Sequence, residues 1–120
     1  MIARPLRLRR AFEFDRVRRR GRSWTTPLVV LAVLPNTFDH NRYGFAVGRR
    51  VGGAAKRNLI KRWFREAIRE FHPELRTGFD LVVIARGNLA NEGVTFAHVR
   101  DALRILCHKS GLMDRRPPPQ

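Results

Sequence analysis

One short segment holds the residue spacing most suited to chemistry. Arg57, Asn58, Lys61, Arg62 and Arg65 are spaced so that an α-helix would gather them on one side. Guanidinium and ammonium groups grip phosphate, and the planar arginine fork also stacks on bases. The Asn58 amide adds a neutral group able to hydrogen-bond a base edge or a ribose. Lys56 and the Arg49-Arg50 pair crowd the start of the same segment. Cations there oppose the helix macrodipole, and a bound anion relieves that cost. The chemistry indicated is recognition of a polyanion.

Residue sets for bond breaking are not legible. The 10 acidic residues are scattered, whereas a two-metal nuclease needs carboxylates clustered around both ions. Glu66, Glu70 and Glu74 share helix-like spacing. A helical wheel puts Glu66 and Glu70 on the flank away from the basic stripe, with ion pairing to neighbours such as Arg62 as their expected role. His40, His72, His98 and His108 lack H-x-x-x-H or H-x-x-E-H spacing. Gly48 and Gly53 match the glycine spacing of a Walker A loop, but Ala54-Ala55 stand where its Lys-Ser/Thr would hold phosphate and metal. The single cysteine, Cys107, excludes an internal disulfide framework and a multi-cysteine zinc site. It reads as a small core residue, and a reducing, cytoplasmic location is expected.

The elements that position the stripe follow from pattern. The chain has 120 residues and a formal charge of +15, which fits one basic domain, 1–120. Hydrophobic residues make up 43%, enough for a small core. Residues 1–22 hold nine arginines against Glu13 and Asp15, and residues 49–70 hold eight cations against Glu66 and Glu70. Two concentrated basic segments point to a polyanionic partner. The longest apolar run, Leu28 to Leu34, is far short of the roughly 20 residues that span a bilayer. No secretory signal and no membrane association are expected.

Residues 1–8 read as extended and polar. A helix is predicted over 9–20, ended by Gly21, with Ala11, Phe14 and Val17 on one face and Phe12 off it. A strand begins near Ser23-Trp24. Leu28–Leu34 is a second strand, aliphatic enough to be buried on both faces. Tyr43–Arg49 is a third. The strongest helix runs over 54–71, stopped by His72-Pro73, and a fourth strand runs over 78–85. Arg86 to Gly93 is a loop. A last helix, 94–109, carries Val99, Ala102, Leu103, Leu106 and Cys107 on one face. The order α-β-β-β-α-β-α makes an α+β fold, a two-layer sandwich of one small sheet and packed helices. The domain core is expected over about 6–110, with 111–120 a flexible tail.

On the central helix, Ile60, Trp63, Phe64, Ala67, Ile68 and Phe71 share an apolar arc of about 140°. Asn58, Lys61, Arg62, Arg65 and Arg69 share a different arc. Like charges at i,i+4 spacing cost a few tenths of a kcal/mol each, so a helix without a partner would mix its signs.

The run R-N-x-x-K-R-x-x-R, here Arg57, Asn58, Lys61, Arg62 and Arg65, resembles the signature of the bacterial ribonuclease P protein subunit. The flanking YGFAVGRR and DLVVIAR strands, the Val51-Gly52-Gly53-Ala54 joint, and Leu8, Phe14, Val17 and Gly21 near the N-terminus also resemble that family. The resemblance covers about residues 6–110. It implies a small mixed sheet with a left-handed β-α-β crossover, as in a domain of a small-subunit ribosomal protein. General rules favour the right-handed hand. It implies a protein subunit of an endoribonuclease that removes the 5′ leader of precursor tRNA. The catalytic centre and its Mg2+ would then belong to an RNA subunit. Lys56, Arg57, Asn58, Lys61, Arg62 and Arg65 would bind that RNA. Phe14, Val30, Ala32, Arg49 and Arg50 would line the leader cleft, and the protein alone would be monomeric. Arg18 and Ala32 stand where family members often carry aromatics, so the cleft is expected to rely more on arginine–phosphate contacts. Phe14 has two roles open: stacking a leader base or filling the helix–sheet core.

Two other readings stay open on sequence alone. One is a structural RNA-binding module, such as a ribosomal protein of similar fold. The other is a DNA- or anionic-membrane-binding protein. It is disfavoured because the central helix buries Trp63 and Phe64 and no helix-turn-helix spacing is present.

Overall fold

The second strand carries aliphatic side chains at every position from Val29 to Leu34 because both of its faces are covered. A computed structural model describes residues 6–113. Helix α1 (Ala11–Arg20) precedes strands β1 (Arg22–Thr25), β2 (Val29–Pro35) and β3 (Arg42–Ala46). Helix α2 (Ala54–Phe71), strand β4 (Phe79–Ala85) and helix α3 (Phe96–Lys109) follow. The four strands pair in the order β1-β2-β4-β3. β2 is antiparallel to both β1 and β4, whereas β3 and β4 are parallel neighbours joined through α2.

Side-chain alternation sorts the strands into two faces. Val29, Leu31 and Val33 of β2, with Leu81 and Val83 of β4, belong to the larger core together with Ile60, Phe64, Ala67, Ile68 and Phe71 of α2. The α3 face foreseen as apolar, Val99, Ala102, Leu103, Leu106 and Cys107, is buried there too. Ala32 and Val82 point the other way, into a smaller cluster with Leu8 and Val17, and Phe14, Leu34 and Ile84 pack at its edge. The sheet therefore carries α2 and α3 on one side and α1 on the other.

Helix α2 spans the predicted residues. Helix α1 starts two residues later than expected because the Arg9 and Arg10 N–H groups donate to Oε1 of Glu13 at 3.2 and 3.1 Å, outside the helix. Strand β3 stops at Ala46 rather than Arg49, and Arg49–Val51 form a 3-10 turn. Helix α3 starts at Phe96, and the preceding loop contains a 3-10 turn over Gly87–Ala90. The polar reading of residues 1–8 is corrected at its end: Leu8 is a core residue whose N–H donates to the Tyr43 carbonyl at 2.8 Å. The expected tail begins too early, since Leu112 and Met113 are buried; residues 1–5 and 114–120 lie outside the described residues.

Two glycines allow α1 to lie close on the sheet. A Cβ at Gly21 would overlap the carbonyl oxygens of Val17 and Val33, which are backbone atoms with little room to yield. A Cβ at Gly44 of β3 would overlap the Phe14 ring. Gly44→Ala is expected to displace that ring and destabilise the fold by about 1–3 kcal/mol. Denaturant melts of the variant check this, and an unchanged midpoint would contradict the packing.

Candidate nucleic-acid interface

The cationic stripe of α2 exists because the apolar residues fix the helix's rotation. With Ile60, Phe64, Ala67, Ile68 and Phe71 buried, Asn58, Arg62 and Arg69 are exposed, and Lys56, Arg57, Lys61 and Arg65 are half-buried. Arg62 Nε lies 3.4 Å from Glu66 Oε1, an exposed i,i+4 pair of the kind worth a few tenths of a kcal/mol. Among the described residues Lys56, Arg57, Lys61 and Arg65 make no salt bridge. Arg57 Nε is buried with no hydrogen-bond partner, which costs about 1–3 kcal/mol when left so. The N-cap of α2, Gly53, supplies no side-chain cap, and the first turn holds no acid. An anion would thus find unopposed charge at this end of the helix.

A cleft of about 600 Å³ opens between α1 and the end of the sheet. Phe14, Asp15 and Arg18 of α1, Ala46 of β3, Ile84 of β4 and Lys61 of α2 are among its walls. Phe14 packs over Gly44 and also lines the open cleft, a position compatible with either of its two expected roles. Ala32 does not line it. That residue is 1% exposed beneath α1, so its expected place in the cleft is corrected. Val30 is half-buried on the same sheet face, paired in register with Ile84, but does not line the cleft either. The sheet wall is built by the ends of β3 and β4, because α1 covers Ala32 of β2 and Val82 of β4.

Arg49 and Arg50 are exposed in the turn after β3 and line a neighbouring concavity of about 490 Å³ with Arg86. Gly48 and Ala85 border both spaces, so the two adjoin. Sequence reading missed Arg86 and the cleft role of Lys61. Arg86 was visible as the cation closing the DLVVIAR run, but only the parallel pairing of β3 with β4 carries it beside Arg49. Arg18, where the resemblance would place an aromatic ring, lines the cleft wall.

Helix α1 is held over the sheet by buried charge. Arg42 of β3 donates from Nε and one terminal nitrogen to the two oxygens of Asp80, at 2.9 and 2.7 Å. Its other terminal nitrogen donates to Glu13 Oε2 of α1 at 2.8 Å. Asn36 Nδ2 adds a bond to Asp80 at 2.9 Å. Burial alone would push the Glu13 carboxyl up, but the Arg10 and Arg9 N–H groups and the Arg42 guanidinium together hold it below its ordinary value. Burial raises the Cys107 thiol to about 12, so it is an inert core group. Among the described residues no three His, Cys, Asp or Glu side chains gather as a metal site, and no helix is long and apolar enough to cross a membrane.

The family model described as Ribonuclease P matches residues 2–111. This chain belongs to the ribonuclease P protein family. The ribonuclease P protein component of Roseiflexus castenholzii is 37% identical over 112 residues, 93% of this chain and 91% of that one. The solved ribonuclease P protein of Staphylococcus aureus superposes with a TM-score of 0.83 at 25% identity, covering 91% of this chain and 98% of that one. The Thermotoga maritima ribonuclease P protein does so with a TM-score of 0.76 at 34% identity, covering 93% and 98%. The resemblance drawn from the α2 motif and the mixed α+β fold both hold, and the chain is a protein subunit of ribonuclease P.

Proposed function

We propose that this ribonuclease P subunit works by position and charge, holding two RNAs while an RNA partner supplies the catalytic centre. The observation that carries the reading is the α2 stripe, Arg57, Asn58, Lys61, Arg62 and Arg65 on one side with Lys56 at the start of the helix, and Arg62 alone in a salt bridge, that one exposed. These side chains dock the catalytic RNA subunit. The single-stranded 5′ leader of precursor tRNA lies in the cleft beside α1, with Phe14 against a base, Arg18 toward its phosphates and Lys61 at the border between the two RNAs. Arg49, Arg50 and Arg86 continue that cationic path. Val30 backs the wall through its pairing with Ile84 without lining the cleft, and Ala32 supports α1 from below.

Binding substrate and catalytic RNA to one rigid surface raises their effective concentration. Positive charge beside the junction also lowers the bulk Mg2+ that the RNA partner needs. The Mg2+ ions are assigned to that RNA, the reaction to the cytoplasm, and the free protein to a monomer.

Reconstitution with the cognate catalytic RNA at low Mg2+ tests this. Leader removal is expected from the mixture and none from the protein alone; cleavage without any RNA partner would overturn the assignment. Phe14→Ala is expected to weaken precursor tRNA binding about 5- to 100-fold, the range for one stacked base, while mature tRNA binding and assembly with the catalytic RNA change little. An equal loss for mature tRNA, or a lowered melting temperature with leader affinity intact, would leave Phe14 a packing residue only.

A further inference from the structure

We infer that α1 has a second nucleotide-binding flank, a cleft opposite the proposed leader cleft that stacks an unpaired RNA base. This inference rests on the reading of the protein as an RNA-docking subunit. The helix divides its side chains between two spaces. Phe14, Asp15 and Arg18 line one; Phe12, Glu13, Arg16 and Arg20 line the other, with Val17 buried between them. The second space, of about 500 Å³, is closed on its far side by Phe38 and Arg42.

Among the described residues four large hydrophobic side chains are conspicuously exposed: Phe12 at 58%, Phe38 at 47%, Ile105 at 47% and Leu59 at 37%. Two of the four, and both aromatics, line this one cleft. Phe38 is a fixed wall despite its loop position. The Arg42 guanidinium lies 4.8 Å from its ring centroid, and His40 stacks on it at 5.3 Å. Arg42 is in turn anchored on buried Asp80. Among the described residues Phe12 has no aromatic or cation–π partner.

The carboxylates lining the space, Glu13 and Asp80, are already engaged by Arg42. That leaves cationic groups available at the rim. Arg16 is 42% exposed and only loosely paired, 3.8 Å from Asp80, and Arg20 makes no salt bridge among the described residues. Aromatic rings flanked by guanidinium groups recognise single-stranded nucleic acid, base on ring and phosphate on arginine. A second copy of this chain is a poor occupant, since the formal charge of +15 makes the approach repulsive.

The unpaired nucleotide belongs to the catalytic RNA or to precursor tRNA, and crosslinking separates the two. Protein carrying p-benzoylphenylalanine in place of Phe12 is reconstituted with cognate catalytic RNA, with and without precursor tRNA, and irradiated. The expected product is a covalent adduct to unpaired nucleotides of one of these RNAs, at positions different from those reached by the same probe in place of Phe14. Phe12→Ala is expected to weaken affinity for that RNA roughly tenfold at unchanged melting temperature, with Phe12→Tyr restoring it. No RNA adduct at position 12, an adduct only to protein, or affinity unchanged in Phe12→Ala with Phe38→Ala overturns the inference. Assembly retained without the adduct sinks this inference alone; wild-type protein that fails to hold the RNA sinks the docking reading with it.

Discussion

Asp80→Ala is expected to lower folding stability by about 3–5 kcal/mol, the usual cost of removing one partner from a buried ion pair. Asp80 is 1% exposed and accepts from Arg42 with both oxygens and from Asn36. With the carboxylate gone, the Arg42 charge keeps only Glu13 beneath α1, and its desolvation is no longer offset. Asn36 retains a longer bond to the His40 carbonyl at 3.3 Å. Asp80→Asn keeps the shape and one acceptor oxygen, so it should fall between the two. Urea unfolding of the three proteins measures the order. A loss below about 1 kcal/mol for the alanine variant would mean that Arg42 re-enters water at little cost and that the pair is not a structural anchor. The damage should also reach the α1 clefts, because Glu13 and Arg42 are what join the helix to β3.

Replacing Arg57, Arg62 and Arg65 together by glutamine is the change expected to hurt assembly most. Glutamine keeps part of each aliphatic stem while removing the charge and the guanidinium fork, so the apolar face of α2 should stay packed. Hydrogen bonds made by charged groups are worth about 1.5–3 kcal/mol each, and every 1.4 kcal/mol is tenfold in affinity. Even with strong non-additivity, affinity for the catalytic RNA should fall by about a hundredfold or more. The slope of log affinity against log salt should flatten by roughly 2–3, one step for each lost phosphate contact. Binding titrations over a salt series check both, with thermal melts as control. An unchanged slope would place the RNA elsewhere on the surface.

How much was legible in advance differs by region. Helix α2 could be read to its ends because one segment carried an apolar arc, a cationic arc, a glycine joint before it and His72-Pro73 after it. The buried face of α3 was equally clear from spacing. Strand β2 showed that both faces are covered, but a continuous aliphatic run has no marker for which neighbour covers which residue. Ala32 was therefore assigned to an open cleft, although Gly21 and Gly44 let α1 settle directly over that side of the sheet. Pairing across the chain was the other blind spot. Arg42 and Asp80 are 38 residues apart, and nothing local to either announces the bridge. The same holds for Arg86 beside Arg49, and for Phe12 and Phe38 across one cleft.

Helix α1 is pinned at both ends, by the Glu13–Arg42–Asp80 bridge and by the tight seat of Gly21 between two carbonyl oxygens. A hinged cover would let a guest open its own berth and would meter affinity through motion. This helix is instead a fixed bar seated on the sheet, and those anchors set the walls of the clefts along its two flanks. Under the proposed function, a strand entering such a cleft would bear most of the loss of freedom itself, and its suppleness, more than any yielding of the protein, would govern how readily it enters.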